Sequence, residues 1–181
     1  MRVIAGALGG RRLVAPRGME TRPTSERVRE ALFSALGPLS GASVLDLYAG
    51  TGALGIEALS RGASRAVFVE SDRAALAALR ENLGALDLAG RSVVIAKPVA
   101  RAAQAIASHG PFDLLLIDPP YAEASNAIAH VVGLAALIGP GSRIVLEHAT
   151  RSPPETPSEW SQERTRRYGD TSLSFYRLAP A

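Results

Sequence analysis

Between Val44 and Glu147 the chain carries five predominantly apolar runs of four or five residues, separated by stretches of helical periodicity. A strand that is apolar throughout is buried on both faces, and parallel neighbours need a covering crossover between them. The spacing predicts strands at Val44–Leu47, Ala66–Glu70, Val93–Ala96, Asp113–Ile117 and Arg143–Glu147. Helices are expected over Leu54–Ser60, from about Arg73 to Leu86, near Arg101–Ala107 and around Ser125–Leu137. This is the pattern of an α/β chain with a parallel sheet covered on both sides.

The flanks have a different character. Val3–Ala5 and Leu13–Ala15 suggest a short hairpin turning through Gly9-Gly10. Thr24 or Ser25 can cap a helix to about Leu36, with Val28, Leu32 and Leu36 on one face and Gly37-Pro38 as its stop. At the other end, segments near Glu163–Tyr168 and Ser172–Leu178 flank Gly169-Asp170, the pattern of an antiparallel hairpin. Pro153, Pro154 and Pro157 mark an exposed loop before it.

Two motifs carry chemistry. Asp46-Leu-Tyr-Ala-Gly50-Thr-Gly52-Ala-Leu-Gly55 lies at the first strand-to-helix turn, where glycines let a ligand approach bare backbone. Gly50-x-Gly52-x-x-Gly55 alone would also suit a dinucleotide, whose pyrophosphate sits on such a turn. Asp46 argues against it: a carboxylate at the strand end repels a phosphate and favours the ammonium and sulfonium of S-adenosylmethionine. Glu70, ending the second strand, can accept ribose hydroxyls from either cofactor.

The second motif is Asp118-Pro119-Pro120-Tyr121, which follows a buried strand at the carboxyl edge of the sheet, the usual ligand crevice. The prolines fix the backbone and remove two N–H donors, leaving local carbonyls as acceptors. An exocyclic base amine is a weak nucleophile because its lone pair is delocalised into the ring. The Asp118 carboxylate and Pro119 carbonyl together could accept both its protons, and Tyr121 could stack on the base.

Charge and composition narrow the class. Residues 1–37 hold seven Arg against three Glu, a balance of +4, whereas the whole chain is only +3, and nineteen of its twenty basic residues are Arg. Arginine suits bidentate phosphate contact and base stacking, so the first segment points to nucleic acid. The chain has no cysteine, which excludes a disulfide framework and a thiolate nucleophile. His109, His130 and His148 lack ligand spacing, so no metal is expected. The stretch Ala127–Gly139 is too short to span a bilayer, and no leader is visible, so a soluble cytoplasmic protein is expected. Trp160 reads as packing, and Ser34 and Ser60 as helix surface.

These residues together closely resemble the RsmD family, methyltransferases acting on guanine N2 of small-subunit (16S) ribosomal RNA. The likeness runs from Met1-Arg-Val-Ile-Ala-Gly through Thr21-Arg-Pro-Thr-Ser-Glu-Arg-Val-Arg-Glu-Ala-Leu-Phe33, the glycine loop, Phe68-Val-Glu70 and Asp118–Tyr121 to Arg167-Tyr-Gly-Asp-Thr171. It implies a class I, Rossmann-like methyltransferase fold: a seven-stranded, mostly parallel sheet with an antiparallel C-terminal hairpin. Residues 1–20 would form a small N-terminal hairpin extension contacting RNA, and residues 21–181 the methyltransferase domain.

The resemblance further implies S-adenosylmethionine as cofactor and the small ribosomal subunit as partner, met by a monomer without membrane or metal. Asp118, Pro119, Pro120 and Tyr121 would be catalytic. Asp46, Tyr48, Gly50, Thr51, Gly52, Glu70 and Ser71 would bind the cofactor; Arg11, Arg12, Thr21, Arg22, Thr24 and Arg27 would meet the substrate. One departure stands out: Lys97-Pro-Val-Ala-Arg101 offers no Asp or Asn after the third strand to read an adenine amino group. Three other readings share parts of these motifs: a nicotinamide oxidoreductase, a non-catalytic RNA-binding assembly factor, and a DNA adenine-N6 methyltransferase. The last normally needs a target-recognition region for which 181 residues leave little room.

Overall fold

The computed structural model describes residues 1–16, 26–120, 123–134 and 137–178. Thr21, Arg22, Thr24, Ser25 and Tyr121, all named above, lie outside the described residues. The elements in chain order are α1 (Glu26–Leu36), β1 (Ser43–Leu47), α2 (Ala53–Ser60), β2 (Arg65–Glu70), α3 (Arg73–Ala85) and β3 (Ser92–Ala96). They continue with α4 (Ala103–Ala107), β4 (Phe112–Ile117), α5 (Ala124–Val132), β5 (Ile138–Ala149), β6 (Trp160–Tyr168) and β7 (Thr171–Leu178).

The strands form one seven-stranded sheet in the order β3-β2-β1-β4-β5-β7-β6. The first five are parallel, and β7 joins antiparallel to both β5 and β6. The fold expected from the sequence is the one observed. Strand order reverses between β1 and β4, and a crevice opens at such a switch point beyond the carboxyl ends of the strands. Side chains alternate between two cores. Val44, Phe68, Leu114, Leu116 and Val145 pack with α1, α2 and α3, and Leu45, Val69, Leu115, Ile117 and Leu146 with α4 and α5.

Two boundaries differ from expectation. Helix α5 stops at Val132, and β5 begins at Ile138, taking in Gly139-Pro140-Gly141. The register with β4 is irregular there and becomes regular from Arg143, so the turn-forming residues enter the strand only as an irregular lead-in. The N-terminal arms meet in a single antiparallel bridge, Arg2 with Arg12, rather than a ladder over Val3–Ala5 and Leu13–Ala15. Val3 and Leu13 N–H donate across it to the Arg11 and Met1 carbonyls at 2.9 and 3.0 Å, Gly10 N–H donates to the Val3 carbonyl at 2.9 Å, and other backbone groups are bound by helices. Ile4 and Ala5 N–H donate to the Glu57 carboxylate at 2.7 and 3.1 Å, and Val14 N–H donates to Asn82 Oδ1 at 2.7 Å. Gly6, at φ +84°, passes so close to α2 that a Cβ would overlap the Ser60 carbonyl. Ser60 is buried and bonds to the arm through its hydroxyl, which corrects its reading as helix surface. Trp160 is buried and packs on Tyr176, ring centroids 5.3 Å apart.

Candidate active site

The carboxyl edge of the sheet is lined with carboxylates. Register pairs Leu47 with Val69 and Ile117, and Ile117 with Leu146. One residue further along come Glu70 on β2, Asp118 immediately after β4, and Glu147 on β5. The alternation along β2 and β5 puts Glu70 and Glu147 on the α1–α3 side. Asp46 points to the same side of β1, two residues deeper. All four border a cleft of about 690 Å³, within the usual size of small-molecule sites.

Asp46 is 1% exposed. Its Oδ2 accepts the Gly55 N–H at 2.8 Å, and its Oδ1 is buried without a hydrogen-bond partner. Burial pushes its carboxyl up to about 8, opposed by the Gly55 N–H and reinforced by the charges of Asp118 and Glu70. A donor or cation in the cleft would satisfy the open oxygen and favour its ionised form. Gly55 has no room for a side chain: a Cβ would overlap the Phe68 ring, so the helix can sit close to β2 only with glycine here.

Glu70 organises the glycine loop. Its Oε2 accepts the Gly50 N–H at 2.8 Å, and its Oε1 accepts Ser71 and Asp72 N–H at 2.6 and 2.7 Å. The Gly52 N–H turns inward to the Ala49 carbonyl at 2.8 Å. Three loop N–H groups, those of Gly50, Gly52 and Gly55, are thus committed inside the protein. Gly50 takes a positive φ of 56° and faces open space.

Tyr48 also has a positive φ, 60°, unusual for a residue with a side chain. Its hydroxyl lies 3.5 Å from His130 Nδ1, and burial, reinforced by the charge of Glu123, pushes it up to about 12.

Of the expected residues, the cleft gathers Asp46, Tyr48, Gly50, Thr51, Glu70, Ser71, Asp118, Pro119 and Pro120. Gly52 stands behind it, packed toward Leu79. Arg11 and Arg12 are exposed on the N-terminal arm, and Arg11 Nη2 donates to the Ala85 carbonyl at 3.2 Å. Arg27 lies with Arg2, Glu26 and Glu30 in a second groove between the arm and α1. Met1 and Pro16, from the arm, border the main cleft, and Lys97, Pro98 and Val99 form its wall beyond β3.

Sequence reasoning missed Glu123, His130 and Glu147, which also line it. Glu147 was within reach, because it ends a predicted strand just as Glu70 does. His148 is structural: it is buried, with Nε2 2.9 Å from Ser174 Oγ. Among the described residues no cluster of three potential metal ligands occurs, and no helix is long and apolar enough to cross a membrane.

The model of the family described as conserved hypothetical protein 95 matches residues 1–177. YlbH of Bacillus subtilis is 37% identical, with 98% of each chain covered. Ribosomal RNA small subunit methyltransferase D of Escherichia coli K12 is 35% identical over 98% of this chain and 89% of its own. The solved structure of yhhF from Escherichia coli superposes with a TM-score of 0.84 at 32% identity, covering 100% of this chain and 99% of that one.

Proposed function

The chain belongs to the family of conserved hypothetical protein 95, the RsmD family, and on that premise we propose that it methylates the exocyclic N2 of a guanine in small-subunit ribosomal RNA, with S-adenosylmethionine as donor. The observation that carries the choice of donor is the state of the glycine loop. Its Gly50, Gly52 and Gly55 N–H groups donate to Glu70, Ala49 and Asp46, so they are not free to cradle a pyrophosphate as a nicotinamide site requires. The buried Asp46 Oδ1 has no partner in the protein, and a cation seated against it would favour the ionised form of this carboxyl.

Asp46, Tyr48, Gly50, Thr51, Glu70 and Ser71 would hold the cofactor, with Lys97–Val99 against its adenine. When bound, S-adenosylmethionine supplies an electrophilic methyl, its S–C bond breaking as the new N2–C bond forms. Asp118 and the Pro119 carbonyl accept the two N2 protons and orient the amine. The Asp118 carboxylate favours the charge growing on N2 and takes up the proton that the nitrogen loses. Tyr121 would stack on the base. Arg11, Arg12, Thr21, Arg22, Thr24 and Arg27 would meet the RNA of the assembled or assembling subunit, in the cytoplasm, with the chain acting as a monomer.

The test uses small subunits from a strain lacking this protein. Wild type should transfer one methyl to one guanine, located by mass mapping of the RNA. Asp118→Ala should lose about 2–4 kcal/mol of transition-state stabilisation with little change in S-adenosylmethionine affinity by calorimetry. Equal loss of both would make Asp118 structural. Tight NAD binding without S-adenosylmethionine binding would overturn the reading, as would subunit binding without methyl transfer.

A further inference from the structure

The row of carboxylates at the cleft contains one, Glu147, that the cofactor and amine-activation roles assigned above do not include. Glu147 is 6% exposed, lies inside β5, and borders the cleft with Asp118, the residue that follows the neighbouring strand β4. Adjacent strands are about 4.8 Å apart, so two carboxylates level with one another can meet neighbouring atoms of one flat ligand. Glu147 sits on the β5 side of Asp118, away from the glycine loop at the end of β1, where the acceptor rather than the donor of the methyl would lie. The buried, unpartnered Asp46 Oδ1 in the same cleft independently marks it as a place that a polar group of a ligand completes.

Among the bases, guanine matches such a pair. Its N1–H and its N2 amine are adjacent donors on one edge, whereas adenine and 2-aminopurine have an amine beside an unprotonated ring nitrogen. A carboxylate facing that ring nitrogen sets lone pair against lone pair, with no hydrogen to bridge them.

Resting on the guanine reading of this cleft, we propose that Glu147 is the residue that selects guanine, by accepting its N1–H while Asp118 holds N2. An Asp-Pro-Pro-Tyr loop serves an amine without stating which purine bears it; Glu147 supplies the missing information.

The experiment compares subunits reconstituted with RNA carrying guanine or 2-aminopurine at the mapped target. Both offer the 2-amino group, and only guanine offers N1–H. Wild type should favour guanine in kcat/KM by roughly tenfold to a hundredfold, the span of one good base-reading interaction. Glu147→Gln, whose amide can donate to the unprotonated nitrogen, should bring the ratio toward one by slowing guanine and improving 2-aminopurine. S-adenosylmethionine affinity should stay near wild type. Should that variant fail to fold, Glu147→Ala is read by the same ratio. A wild-type ratio near one, or a variant that keeps the full preference, would sink the proposal while the methyltransferase reading stands. If wild type methylates neither RNA, the function itself is wrong.

Discussion

Asp46 shows how much one residue's surroundings can change its chemistry. A free aspartate ionises near 3.8, but this one holds its proton to about 8 because burial strips its charged form of water. The folded protein therefore binds a proton that the unfolded chain releases. The penalty for ionising Asp46 is absent below about pH 4 and grows as pH rises towards 8, so its contribution opposes folding increasingly across that window. Asp46→Asn should flatten this part of the stability profile, raising the urea midpoint at pH 8 relative to pH 5 compared with wild type. A cation or donor seated on Oδ1 reverses the preference. S-adenosylmethionine binding at pH 7 should therefore release a fraction of a proton. Calorimetry in buffers of different ionisation enthalpy reads this directly; a binding enthalpy independent of buffer would show that the ligand does not ionise Asp46. The position of Asp46 was legible in the sequence as a strand end, but its protonation state was not, since that depends on the residues packed around it.

At the scale of elements, helix α2 acts as the anchor for the N-terminal arm. Glu57 is fully buried and accepts from Ile4 and Ala5 N–H and from Arg61 Nε at 2.7 Å. Arg29, from α1, is buried nearby, donates through Nη2 to the Arg2 carbonyl, and feels the Glu57 charge. Its pKa is lowered by desolvation, with Glu57 opposing the shift. Removing the Glu57 charge would take the ionic partner from Arg61 and the compensating charge from the buried Arg29. Glu57→Gln should cost about 3–5 kcal/mol, read as a lower urea midpoint, and should expose the arm to protease first. At the other end of α1, Arg164 Nη2 donates to the Ala35 carbonyl at 2.8 Å, and Arg143 Nη1 donates to the Leu36 carbonyl. These cations satisfy carbonyls the helix leaves open and suit the negative end of its dipole. Sequence periodicity located α1 and α2, yet it offered no sign that Glu57 or Ser60 faces inward, because their partners lie more than fifty residues away.

Across the whole molecule, charge is divided between an acidic cleft and a basic first segment. The carboxylates of Asp46, Glu70, Asp118 and Glu147 gather at one edge of the sheet, while Arg2, Arg11, Arg12 and Arg27 lie exposed on the arm and at the start of α1. Met1 and Pro16 of the arm border the cleft, whereas Arg11 is bonded at the C-terminal end of α3 and Arg2 and Arg27 line the separate groove against α1. Arg11→Ala and Arg27→Ala should each weaken subunit binding, with the plot of log affinity against log salt about 0.7–0.9 shallower for each phosphate that is no longer neutralised. Methyl transfer at saturating subunit should be nearly unchanged. An equal loss at all salt concentrations would assign these arginines to structure rather than to phosphate.

The sheet, the succession of its parallel strands and helices, the closing hairpin, and the two motifs at the ends of β1 and β4 could all be read along the chain. Each is written in a few consecutive residues, through apolar runs, glycines at turns and a carboxylate where a strand stops. Packing in three dimensions settled what remained: the arm bonded to α2 and α3 as well as to itself, Ser60 turned inward, the loop N–H groups committed to Glu70, Ala49 and Asp46, and Glu147 brought level with Asp118. These depend on which distant groups share a buried space, and a buried polar atom must find its partner wherever the fold provides one.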